Sequence, residues 1–189
     1  MLPLKTIVVV VKAEKDQQPV WLQARAWAAA TGATLHVLVP VAPDVKPGVA
    51  LAPGLLDMAA HNAEMAAGHW CHALQTDAPE GTVFSPVATT HTAETILHEA
   101  QRFEADLLMI GADFLEDWRP LLRHLSCPVL LVRHATAPHV VAAAVGAGME
   151  DAPHRLLNQV VVEHLQALAP CFDAQMRVLS ALPNPTELV

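Results

Sequence analysis

The chain has 189 residues, 53% hydrophobic and only 16% charged, against roughly 25% charged in an ordinary soluble protein. That much apolar side chain excludes disorder, because burying it offsets the entropy of ordering the chain. Eleven Lys and Arg against 19 Asp and Glu leave a formal net charge of −8, which argues against nucleic-acid backbones and anionic membrane surfaces as partners.

Thr6 to Val11 is an unbroken β-branched run, the pattern of a strand buried on both faces of a parallel sheet. Val20 to Ala30 places Trp21, Leu22, Ala24, Trp27 and Ala28 near helical spacing, and Gly32 ends that helix. Leu35 to Val39 is the next strand. Pro40 to Gly54, with four Pro and two Gly, reads as a loop. A long helix follows from about Leu55 to Leu74, then a short strand from Thr82 to Ser85 or slightly beyond. Thr90 or Thr92 is expected to cap a helix running to Phe103. Leu107 to Ile110 is a strand ending in Gly111, Pro120 to Leu125 lies in a helix starting near Glu116, and Pro128 to Val132 is a last buried strand. Strand and helix thus alternate five times, which predicts an α/β fold: an open five-stranded parallel sheet with helices on both faces.

The domain so defined spans residues 1–133, and residues 134–139 read as a linker. The opening pattern then recurs over 140–189: a strand at Val140–Val145, a helix at Pro153–Leu168 and a strand at Arg177–Leu182. This second copy begins 134 residues after the first, counting from Thr6 to Val140, and holds a single βαβ unit. A lone βαβ unit buries its faces only beside further sheet, so the chain is expected to be a fragment of a tandem protein. Left alone, the unit would show edge backbone groups and the apolar side of its helix at Leu156, Leu157, Val160, Val161 and Leu165. A homodimer is therefore expected, with Val129–Val132 and Val140–Val145 near the contact.

Val140–Met149, the longest uncharged apolar stretch, has about half the ~20 residues a bilayer span needs. No secretory leader is evident. Three widely spaced cysteines, Cys71, Cys127 and Cys171, make neither a disulfide framework nor a zinc knuckle, which fits a reducing cytoplasm. Neither G-x-G-x-x-G nor G-x-x-x-x-G-K-[ST] occurs. The first strand runs out into Lys12 without glycine. Gly111-Ala112-Asp113-Phe114 carries a single glycine where a phosphate nest needs several, and Gly146 and Gly148 are too few for one after the second copy's first strand. No nucleophile motif is present, so no enzymatic activity and no cofactor are expected. Because α/β sheets bind ligands at the carboxyl ends of their strands, Lys12, Val39, Gly111 and Asp113 are the candidate ligand-binding residues.

Ala105-Asp106-Leu107-Leu108-Met109-Ile110-Gly111, followed by Ser126-Cys127-Pro128-Val129-Leu130-Leu131-Val132-Arg133, resembles the end of a universal stress protein domain. Lys5–Val10 and Gly32–Leu38 match its opening, and Asp151, His154 and Leu156-Leu157-Asn158 resemble the second half of the tandem members. The resemblance implies the fold above and a stress-response role. ATP-binding members carry an Asp at the end of the first strand; here the matching place is Lys12, and Gly146 in the second copy. They also carry a G-x-x-G, whereas Phe114 stands at the second glycine. The resemblance therefore implies no ATP site.

The expectation is thus a cytoplasmic stress-response protein acting by protein association or by an unidentified small ligand. The alternative is a nucleotide- or metabolite-binding module using the cleft at the strand ends. Among the histidines, His69 and His72 stand one helical turn apart, a spacing able to chelate zinc or another transition metal, with His61 nearby on the same helix. Their blander reading is partial exposure beside apolar packing by Met58, Met65 and Trp70. His91, Glu94 and His98 share another helical face, as an exposed polar stripe or an acid–base cluster. With eleven His, added positive charge is expected below pH 6.

Overall fold

The computed structural model describes residues 4–13, 18–44, 53–114, 119–136, 138–146 and 152–181. The chain separates into two compact units, Leu4–Thr136 and Ala137–Val189. In the first, the elements are β1 (Thr6–Val10), α1 (Pro19–Thr31), β2 (Thr34–Val41), α2 (Pro53–Gln75), β3 (Val83–Ala88), α3 (Thr92–Arg102), β4 (Leu107–Gly111), α4 (Arg119–His124) and β5 (Val129–Val132). The sheet is five-stranded and wholly parallel, in the order β3-β2-β1-β4-β5. Strand β1 is its centre, and Ile7, Val8, Val9, Val10 and Val11 are essentially inaccessible. That burial explains the unbroken Val run: neither face of β1 meets water.

On one face α3 seats Ile96 in a cluster with Val8, Val10, Leu38, Leu108, Ile110 and Leu121, and Cys127 packs against it. Helix α1 buries Val20, Trp21, Ala24, Trp27 and Ala28. It ends at Gly32, whose φ of 72° is left-handed and whose N–H donates to the Ala28 carbonyl at 2.8 Å, a conformation that favours glycine.

Three expectations are corrected. Pro40, assigned to a loop, lies inside β2, which pairs with β3 up to Val41↔Ala88. The pairing of β1 stops at Val10↔Leu38, so Pro40 faces no β1 residue across the sheet, and its missing N–H interrupts no ladder on that side. The cap of α3 is His91, not Thr90 or Thr92, and it makes no side-chain capping bond. Thr89 serves that end instead: its Oγ1 accepts the His91 N–H at 3.0 Å, a two-residue side-chain turn, and pairs with Thr95 Oγ1 at 2.8 Å. Helix α2 buries the small residues Ala63, Ala67 and Cys71 with Leu74, while Met58 and Met65 are 56% and 64% exposed. Small side chains let the helix lie close to the sheet, so the larger thioethers fall on the outside.

The middle of the Pro40–Gly54 loop, the helix start near Glu116, and Gly148 lie outside the described residues. So does the Asp151 of the second copy.

His36 on β2 stacks on Phe103 with ring centroids 4.0 Å apart, and its Nδ1 is buried without a hydrogen-bond partner. Burial holds its pKa below the ordinary 6.5, so it departs from the general His titration expected from composition. In the unfolded chain this imidazole protonates as pH falls through 6.5, whereas in the folded unit it stays neutral to lower pH. Stability is therefore expected to decline as pH falls below 6.5 and to level off once the folded pKa is passed. Urea unfolding at pH 7.5 and 5.0, compared between the parent chain and His36→Phe, checks this; an equal pH dependence in both would refute it.

The second unit comprises β6 (Val140–Gly146), α5 (Ala152–Leu168), a short 3₁₀ turn at Ala169–Phe172, and β7 (Gln175–Ala181). The two strands pair in parallel from Val140↔Gln175 to Gly146↔Ala181 as a separate two-stranded sheet. Leu165 is buried as α5 crosses the pair, but Leu156, Leu157, Met176, Val178 and Leu179 are each more than half exposed. No helix among the described residues is long and apolar enough to cross a membrane.

Candidate functional site

The strand order of the first unit reverses between β1 and β4, and crevices of parallel sheets open at the carboxyl ends of strands flanking such a reversal. A cleft of about 420 Å³ lies there, lined among others by Val10, Lys12, Gln18, Gly111, Asp113 and Arg133. Of the four candidate ligand residues, Lys12, Gly111 and Asp113 come together in it. Val39 does not: it is fully buried inside β2 and outside the lining.

Chemically the cleft is held by its own polar groups. Lys12 Nζ donates to the Asp113 carbonyl at 3.0 Å and lies 3.2 Å from its Oδ2, and it also stands 5.8 Å from the centroid of the Phe114 ring. The Lys12 N–H donates to Gln18 Oε1 at 2.8 Å, and Gln18 Nε2 donates to the Lys12 carbonyl at 2.6 Å. The end of β1 is thus clamped to the residue that opens α1. After β4, the Ala112 N–H donates to the Val132 carbonyl and the Phe114 N–H to the Gly111 carbonyl, closing a tight turn. A Cβ on Gly111 would come within 3.1 Å of Asp113 Oδ1, so glycine here makes room for that carboxylate. With 29% and 72% of their side chains exposed, Lys12 and Asp113 form a pair that adds little stability; its consequence is to set a paired cation and anion in the lining of the cleft.

Sequence reasoning misses Gln18, Phe114 and Arg133. Gln18 alone carries a signal, since it precedes Pro19, a residue suited to the first turn of a helix. In the second unit a residue from within the helix makes a similar pair of bonds. Asn158 of α5 bonds both the N–H and the carbonyl of Gly146 at 3.0 Å, and Gly146 stands 134 residues after Lys12.

The other candidates lie elsewhere. His91, Glu94 and His98 are exposed on α3, and His98 and Arg102 both bond the buried Glu99. His69 and His72 are exposed on α2. Among the described residues, no three His, Cys, Asp or Glu gather into a group able to hold a metal. Burial pushes the Cys71 thiol up to about 11 and raises that of Cys127, which disfavours a nucleophilic thiolate at either.

The profile of the universal stress protein family matches residues 3–116. The chain belongs to this family. Among solved structures, a universal stress protein candidate from Pseudomonas aeruginosa UCBPP-PA14 is 24% identical with a TM-score of 0.67, over 97% of this chain and 64% of its own. A functionally unknown protein from Pseudomonas aeruginosa PAO1 is 24% identical with a TM-score of 0.68, over 95% and 62%. A universal stress protein from Archaeoglobus fulgidus DSM 4304 is 10% identical with a TM-score of 0.64, over 97% and 69%. At these identities the likeness is one of fold. The chain spans less than two thirds of the length of either Pseudomonas protein. No curated protein sequence matches it.

Proposed function

We propose that this universal stress protein serves a cytoplasmic stress response by protein association or by holding a small ligand in the β1–β4 cleft, without ATP and without catalysis. The observation that carries the reading is that the backbone amides lining the cleft are already bonded within the protein. The Lys12, Ala112 and Phe114 N–H groups all have partners within the protein, so these amides are not free to converge on phosphate. Lys12 holds the position where the ATP-binding members resembled here carry an acid. Isothermal titration with ATP is expected to show no dissociation constant below about 10 μM, equivalent to about −7 kcal/mol; tighter binding would overturn the reading.

The cleft volume favours the small-ligand branch, since about 420 Å³ lies within the range of roughly 300–1,000 Å³ typical of ligand pockets. A thermal-shift screen of nucleotides and apolar metabolites separates that branch from pure protein association.

Self-association is part of the proposal. The exposed Leu156 and Leu157 on α5, with Met176, Val178 and Leu179 on β7, support it. Light scattering is expected to report a particle of about 40 kDa, twice the 20.2 kDa chain, and a 20 kDa particle would refute it.

A further inference from the structure

We propose that the outer face of α2 binds a soft monovalent metal ion, Cu(I), through Met65, His69 and His72. Opposite the buried stripe of Ala63, Ala67, Cys71 and Leu74, the helix carries Met58, His61, Met65, His69 and His72, each three or four residues after the last. All five are exposed. Residues at these spacings stand roughly 5–6 Å apart at Cβ. At about 100° per residue, Met65, His69 and His72 fall within an arc of roughly 60°, and the proposed ion sits above His69, between Met65 and His72, which lie about 10 Å apart along the helix axis.

A second observation bears on one ligand. His72 Nδ1 lies 3.3 Å from Gln75 Oε1, an amide oxygen that only accepts. In the tautomer that makes this bond, Nδ1 carries the hydrogen and Nε2 the lone pair. A ring nitrogen anchored in this way while the other stays free is how proteins orient metal-binding imidazoles. A borderline ion such as zinc finds only the two nitrogens of His69 and His72 within this arc. The thioether of Met65 completes a donor set that suits a soft ion and not a hard one.

The test titrates the full chain anaerobically with Cu(I) against a chromogenic Cu(I) chelator, with Zn(II) as the comparison ion. A single ion is expected to bind. Met65→Leu and the double change His69→Gln, His72→Gln should each weaken it by about 10- to 100-fold, and X-ray absorption should report mixed sulfur and nitrogen ligation. Circular dichroism and thermal melting should not change, because all three side chains are exposed, so lost affinity reads as a lost ligand. Three outcomes overturn the proposal: no Cu(I) uptake, Cu(I) affinity undiminished when all three residues are replaced (binding by the cysteines), or Zn(II) binding as tightly as Cu(I) with Met65→Leu inert (a bare histidine pair).

Discussion

Ile96→Ala is expected to destabilise the first unit by about 2–5 kcal/mol, a large share of the roughly 5–15 kcal/mol by which domains are stable. Ile96 is fully buried, and its neighbours Val8, Leu38, Leu108 and Ile110 come from three adjacent strands, so no single side chain can move to fill the space. Ile96→Val should cost only about 0.5–1.5 kcal/mol, because it deletes one methyl from the same site. Urea unfolding followed by tryptophan fluorescence suits the measurement, since Trp21, Trp27, Trp70 and Trp118 all belong to the Leu4–Thr136 segment. Equal losses for the valine and alanine variants would show that α3 does not pack as described.

Asp106→Ala is expected to cost about 1–3 kcal/mol for a different reason. Asp106 Oδ2 accepts the Lys5 N–H at 2.8 Å and the Thr6 N–H at 2.9 Å, while the Asp106 N–H donates to the Thr6 carbonyl at 3.0 Å. The carboxylate thereby ties the entry of β1 to that of β4 across 100 residues of sequence. Alanine leaves two backbone donors without their acceptor, one of them part-buried. Asp106→Asn keeps a carbonyl oxygen there and should recover part of the loss. An alanine variant within about 0.5 kcal/mol of the parent would mean that water serves these donors equally well.

This carboxylate also marks how far residue order alone reaches. The Ala-Asp-Leu stretch is recognisable as a string of residues, but its chemistry is a side chain bridging two strand ends. The strand–helix alternation is legible because each buried strand is a run of apolar residues with no competing pattern. Pro40 misleads because proline breaks a strand only where a neighbour needs its N–H, and where β1 stops is a property of the sheet. Met58 and Met65 mislead because hydrophobicity along a helix does not say which apolar face the sheet will accept. Lys12, Gly111 and Asp113 can be picked from strand ends alone. Gln18 and the closed turn after β4 depend on hydrogen bonds that residue type does not encode, and Val39 lies two residues short of the true end of β2.

The place of β1 in the sheet bears on how the chain is made. Its register partners on one side, Thr34–Leu38, follow soon after it, but those on the other, Leu107–Ile110, are translated about 100 residues later. At about 5–20 residues per second, a ribosome needs roughly 5–20 s to cover that distance. Throughout that interval Thr-Ile-Val-Val-Val, an uncharged segment of high β-propensity, has one edge without a partner. The nascent chain is therefore most open to aggregation between the emergence of β2 and that of β4, and a holding chaperone that engages it has that window in which to act.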